Sequence, residues 1–265
     1  MKYKRDLWSV YQYGEKIKLV YYTSGKISPD KTGKKRSKGT DSEKRFDESI
    51  SRTRSTIFEL AMCNDFEWFA TLTLDAEKRC RNDLTAFRKD FAQMVRNENK
   101  KRPDEKKIEY LLIPERHQDG AWHMHGLFKG LQKGIDLTKN EHNYFDWQKY
   151  RQNFGFFSCS RIKSHEACSK YITKYVTKDI KKSTVLDGGA HSYYASQGLN
   201  RRTPLLTYCA DRCPIAELPR GTDKYGQWDF ENEHVKIRWL KRVDNAEKAL
   251  LCLPDENGEL TFFGK

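Results

Sequence analysis

Two groups of side chains in this sequence have the types and the spacing to work on a phosphodiester. The first is His123-Met124-His125. On an extended strand successive side chains point to opposite faces, so the two imidazoles share one face while Met124 packs on the other. A hairpin signal, His117-Gln118-Asp119-Gly120, lies just upstream. If Gln118-Asp119-Gly120 is a three-residue loop with Gly120 left-handed, His117 pairs with Ala121 and Glu115 falls opposite His123. A two-residue Asp119-Gly120 turn would instead bring Arg116 opposite His123 and send Glu115 to the far face. In the first register Glu115, His123 and His125 form two imidazoles and one carboxylate, a set that suits Mg²⁺ or Mn²⁺ with positions left open for a phosphate. His117, at the loop edge, either adds a ligand or faces water.

The second group is Tyr171-Ile172-Thr173-Lys174-Tyr175-Val176-Thr177-Lys178. On a helix, Cys168, Ile172, Val176 and Ile180 make an apolar stripe, and Tyr171, Lys174, Tyr175 and Lys178 make a polar stripe beside it. The plain reading is an amphipathic helix with tyrosines at the core edge. The chemical reading takes both groups together. A bound cation polarises the non-bridging oxygens of a phosphodiester, and a tyrosine hydroxyl attacks phosphorus to give a 5′-phosphotyrosyl linkage and a free 3′-OH. A phenol of ordinary pKa about 10 is a weak nucleophile at neutral pH, so Lys174 and Lys178 supply the positive charge that the phenolate and the transition state need.

These side chains need strands and helices to carry them. Residues 66–74 are aromatic and β-branched, as in a central strand. Leu84, Phe87, Phe91, Met94 and Val95 recur at helical spacing, placing a helix over 79–99. Residues 108–116 and 121–129 read as the two strands of the hairpin, 145–152 as a short helix and 154–162 as a strand. A helix over 164–182 starts at the N-cap Ser164. The order β-α-β-β-α-β followed by a helix predicts an α+β fold, a ferredoxin- or RRM-like split βαβ core with a central antiparallel sheet and a trailing tyrosine helix. Three regions are expected: an extension over 1–60 with a basic linker near 25–45, a central domain over 61–200, and an extension over 201–265 packed on the core. A strand or hairpin lies upstream of the linker, and 235–240 reads as a further strand.

The chain has 265 residues and a formal net charge of +13, which predicts a polyanionic partner, nucleic acid first. Residues 26–45 hold eight basic and three acidic side chains, and residues 161–182 hold seven and two. Apolar runs are strand-sized, far short of the roughly 18–20 residues of a membrane span, and no signal peptide is visible. A cytoplasmic protein with reduced thiols is expected from seven irregularly spaced cysteines. Cys209 and Cys213 are a weak start to a zinc site, with Cys159, Cys168 or a histidine to complete it.

The ordered motifs FATLTLD (69–75), PERHQDGAWHMHG (114–126) and YITKYVTKD (171–179) resemble those of HUH endonucleases. The likeness is greatest to the rolling-circle replication initiators of bacterial plasmids and single-stranded DNA phages, and it spans about residues 50–200. The paired tyrosines are similar to the two-tyrosine subset that includes microvirus initiators. The resemblance implies nicking and rejoining of single-stranded origin DNA in a bacterial host cell, with Mg²⁺ or Mn²⁺ at His123, His125 and Glu115, and with Tyr171 and Tyr175 as nucleophiles served by Lys174 and Lys178. Thr71, Thr73, Arg161, Lys163 and Lys170 are expected along the DNA. No phosphate-loop motif is present, so a host helicase would unwind the duplex and a host DNA polymerase extend the 3′-OH. Two alternatives have their own signatures: an HUH transposase or relaxase, and a non-catalytic single-strand binder that stacks bases on Trp68, Phe69 and Trp122.

Overall fold

The computed structural model describes residues 7–14, 16–22, 42–177, 191–209, 230–231, 235–241, 252–254 and 260–262. The chain forms two compact units, one of residues Lys38–Arg201 and one of Met1–Ser37 with Arg202–Lys265. In chain order the elements are β1 (Leu7–Tyr13), β2 (Lys16–Tyr22), α1 (Ser42–Cys63), β3 (Trp68–Leu74), α2 (Leu84–Asn99), β4 (Glu109–Arg116), β5 (Trp122–Lys129), β6 (Leu137–Lys139), β7 (Phe145–Trp147), α3 (Gln148–Asn153), β8 (Gly155–Arg161), α4 (His165–Ile172), β9 (Tyr194–Ala195), β10 (Thr203–Cys209), β11 (Phe230–Glu231), β12 (Val235–Lys241), β13 (Cys252–Pro254) and β14 (Leu260–Phe262).

The larger unit is built on a seven-stranded sheet in the order β6-β7-β8-β3-β5-β4-β9, with every paired strand antiparallel. Its middle, β8-β3-β5-β4, is the strand order of a split βαβ core, so the expected α+β architecture is present. Alternation along β3 is regular, with Trp68, Ala70, Leu72 and Leu74 buried and the residues between them half-buried. The buried set faces α2, whose Leu84, Phe87, Phe91, Met94 and Val95 complete one core. Phe91 sits at its centre, edge-on to Tyr110, Phe128 and Trp147 at 5.2–6.3 Å, the arrangement that aromatic quadrupoles favour.

A second core lies on the other face. There Leu111, Ile113 and Leu127 of the sheet meet Ile50, Ile57, Leu60 and Ala61 of α1 and Ile172 and Val176 from the tyrosine segment. Helix α1 was not expected from the sequence. It is fixed at its end by Asn64, whose amide donates to the Leu60 carbonyl at 2.8 Å and to the Asn200 carbonyl at 3.0 Å, while its own oxygen accepts from the Asn200 N–H at 2.8 Å.

Three expected boundaries differ. The 79–99 helix begins at Leu84, capped by the Asp83 carboxylate on the Ala86 N–H. Residues 145–147 extend the sheet as β7 before α3 starts at Gln148. The 164–182 helix starts as expected at the Ser164 cap, but its α-helical turns stop at Ile172 and a 3₁₀ turn, Thr173–Tyr175, follows. The β-branched residues Ile172, Thr173, Val176 and Thr177 weaken helix continuation there, and the Thr173 hydroxyl donates back to the Lys170 carbonyl at 2.7 Å.

In the smaller unit, β1 and β2 form a hairpin within a sheet of order β10-β1-β2-β12-β11. The strand expected at 235–240 is β12, and its partner is β2. Among the described residues no helix is long and apolar enough to cross a membrane.

Candidate active site

The hairpin register decides whether Glu115 can meet the histidines, and the loop chemistry sets that register. The His117 N–H donates to the Ala121 carbonyl at 2.9 Å, the Gly120 N–H donates to the His117 carbonyl at 3.0 Å, and Gly120 has φ of +84°. This is the three-residue loop, with glycine at the position that an L side chain would strain. Glu115 therefore pairs with His123, and Ile113 with His125. Gly126, the last residue of the His-Met-His-Gly run, has a different reason. A Cβ there would lie 2.4 Å from Leu112 Cδ2 and 2.8 Å from Phe128 Cε2, both packed in the core.

Across the sheet the register continues to β3, where Thr73 pairs with His123 and Thr71 with His125. Thr73 Oγ1 lies 2.9 Å from His123 Nδ1, and Thr71 Oγ1 lies 3.3 Å from His125 Nδ1. His125 Nε2 donates to Glu115 Oε2 at 2.6 Å. The threonines thus hold the inner nitrogens and turn the outer ones toward the carboxylate. Such partners fix the orientation of metal-ligating imidazoles elsewhere.

Each imidazole is also stacked. His117 lies on His123 with ring centroids 3.8 Å apart, and Tyr175 lies on His125 at 3.6 Å, nearly parallel. Phe69 flanks His125 at 6.2 Å and meets Tyr171 edge-on at 5.5 Å. The two tyrosine hydroxyls are hydrogen-bonded at 2.9 Å. The Lys174 ammonium sits 5.3 Å from the centre of the Tyr171 ring. Arg54 of α1 donates from Nε to the Val176 carbonyl at 3.0 Å and so ties down the end of the tyrosine turn.

Burial lowers the pKa of both histidines. At His123 the charges of His117, Arg81 and His125 act in the same direction and Glu115 opposes them; at His125 the Glu115 carboxylate works against the burial. Both rings are held toward the neutral form that a metal requires. Tyr175 moves the other way. Burial raises its phenol well above the ordinary value, and the bond to Tyr171 and the nearby Glu115 charge add to this.

The donor chemistry fits a divalent cation, although among the described residues no three His, Cys, Asp or Glu side chains already enclose a metal position. Glu115 and His125 touch directly, and a cation on His125 Nε2 requires the ring proton on Nδ1 instead. The Thr71 hydroxyl both donates and accepts, so it satisfies either tautomer.

The other expected residues are divided. Lys163 is exposed beyond β8. Lys170 pairs with Glu166 at 2.9 Å. Arg161 lies over the Trp68 ring at 5.9 Å, away from the histidine face. Lys178, Ile180 and Cys213 lie outside the described residues, as does the basic segment up to residue 41. Trp68 and Trp122 are buried in the α2 core and offer no stacking surface, and Phe69 is only half-exposed beneath Tyr171. Burial pushes the Cys159 thiol up to about 12 and that of Cys168 to about 11, the protonated form rather than the thiolate that binds zinc. Sequence reasoning missed Arg54, whose signal lay only in a helix it did not place.

An antiparallel split βαβ sheet with histidines on one strand and tyrosines held against them defines the class of this unit. Residues 67–180 match the family model of replication-associated protein ORF2/gene-2 protein, and over that span the chain is a Rep-type replication-associated protein. No curated protein and no solved structure matches the chain.

Proposed function

We propose that the protein is a replication initiator that nicks and rejoins single-stranded origin DNA. The observation that carries this reading is the placement of Tyr175 and Tyr171 over the Glu115, His123 and His125 row, with Tyr175 in ring contact with His125 and hydrogen-bonded to Tyr171. Mg²⁺ or Mn²⁺ held by His123, His125 and Glu115 would polarise the scissile phosphate. A phenolic oxygen attacks phosphorus and loses its proton to solvent. The P–O3′ bond breaks, and its electron pair leaves on the 3′-oxygen, which takes up a proton. The products are a 5′-phosphotyrosyl strand and a free 3′-OH, and the ester retains the energy for rejoining.

Tyr171 and Tyr175 divide the work unequally. Tyr171 is 45% exposed and has the Lys174 charge against its ring, which favours phenolate. Tyr175 is more buried, and its proton is held more tightly. We assign first attack to Tyr171, with Tyr175 donating a hydrogen bond to it. Arg161, Lys163 and Lys170 supply backbone contacts that position the strand, and a separate helicase and polymerase of the host cell complete replication.

The test is a denaturing gel of protein with single-stranded oligonucleotides from the replicon's origin and Mn²⁺. A covalent adduct is expected, lost in His123→Ala and in Tyr171→Phe and reduced in Tyr175→Phe. Adduct formation unaffected by both tyrosine changes would overturn the reading.

A further inference from the structure

The row that carries the site does not end at Thr73. In register across the sheet run Glu115, His123, Thr73 and then Phe156 on β8. Strand β8 alternates, with Phe157 and Cys159 buried and Phe156, Ser158 and Ser160 exposed. The exposed side is the histidine face, because Phe156 pairs with Thr73, and Ser158 with Thr71. On this face α1 and the tyrosine segment pack against β4 and β5, whereas Phe156 is 60% exposed although its strand has neighbours on both sides. A phenylalanine left open at the middle of a sheet has a cost that its fold does not offset.

From this register we infer that Phe156 is a stacking platform for a nucleobase of the single-stranded DNA, one beside the scissile phosphate. This rests on the nuclease reading for the site and adds to it a subsite. Adjacent strands are about 4.8 Å apart, so Phe156 lies about 10 Å across the row from His123, a span that one nucleotide bridges. The surroundings suit a base and its sugar-phosphate better than a protein. Thr71, Thr73, Ser158 and Ser160 offer hydroxyls on the same face, and the one carboxylate of the row is Glu115. Arg81 lies close enough for its charge to act on His123, and the chain carries +13 overall. A lone aromatic ring among hydroxyls makes a base-sized contact, whereas a stable protein interface needs about 800 Å² from each partner.

The experiment measures binding of fluorescein-labelled dT20 and of a fully abasic 20-mer to the full chain by anisotropy, without added metal so that no cleavage intervenes. Phe156→Ala is expected to weaken dT20 binding by about 5- to 150-fold, the range for losing one base–aromatic stack, and to leave the abasic strand unchanged. Phe156→Tyr should keep the wild-type preference, and Phe156→Leu, which keeps apolar bulk without a π-face, should lose it. Equal dT20 affinity in all variants overturns the inference. So does an equal loss on both strands, or self-association that depends on Phe156 with DNA binding unchanged. Adduct formation on origin DNA separates the two readings: adducts with Phe156-independent binding leave the nuclease standing without the platform, and Phe156-dependent binding without any adduct leaves the platform standing without the nuclease.

Discussion

Thr73 gives His123 a fixed orientation and adds no charge. Valine has the same shape but no hydroxyl, so Thr73→Val should weaken Mn²⁺ binding about 10- to 100-fold, read by isothermal titration, with little change in the melting temperature. The histidines also make stability depend on pH. Their folded pKa values lie below the ordinary 6.5, so between those values and 6.5 the unfolded chain binds more protons. Their contribution is therefore present above about pH 6.5 and is lost as pH falls through the lowered values. Urea unfolding at pH 7.5 and pH 5 should show this decline, and His123→Asn should reduce it. Gly126→Ala tests packing beside the site: the new methyl meets Leu112 and Phe128, and a loss of about 1–3 kcal/mol is expected in the same assay.

Helix α1 and the tyrosine turn act as one element pair. Removing the Arg54 guanidinium leaves the Val176 carbonyl without that partner and loosens the turn that lays Tyr175 on His125. Arg54→Met is expected to lower the rate of adduct formation at saturating oligonucleotide while the KM for DNA stays near wild type, and Arg54→Lys should restore part of the rate. A purely structural role would lower the melting temperature without this split. The same pair shows what could be read in advance. The β3, β4, β5 and β8 strands and α2 were legible because Phe, Trp, Leu and Val recur there with unbroken period. The catalytic register was legible from Gly120, since one glycine position distinguishes a three-residue from a two-residue loop. Helix α1 was not, because its apolar positions 46, 50, 57, 60 and 61 are interrupted by Ser51-Arg52-Thr53-Arg54-Ser55-Thr56, which reads as polar linker until the sheet supplies a surface. The early end of α4 was hidden for the opposite reason: the heptad-like Tyr/Lys spacing continues past Ile172, and only the ring contact with His125 and the Arg54 bond favour the tighter turn.

The division into two units makes its own prediction. A fragment spanning 38–201 contains both cores and the whole described site, and it should melt cooperatively and form the tyrosine adduct. The charge on 26–41 lies outside α1, so its deletion should flatten the salt dependence of DNA binding and leave cleavage at saturating oligonucleotide nearly unchanged.

Strand β2 pairs with β1 on one side and with β12 on the other, and this has a consequence for the order of events on the ribosome. Residues 16–22 emerge early, but the partner at 235–241 is made some two hundred residues later, about 10–40 s at ordinary elongation rates. For that interval the long edge of β2, with Leu19 and Tyr21 in its sequence, lacks its native neighbour while the Rep-type unit downstream is already complete. Nascent chains stalled before β12 should accordingly be the ones that chaperones hold and that cross-pair with one another.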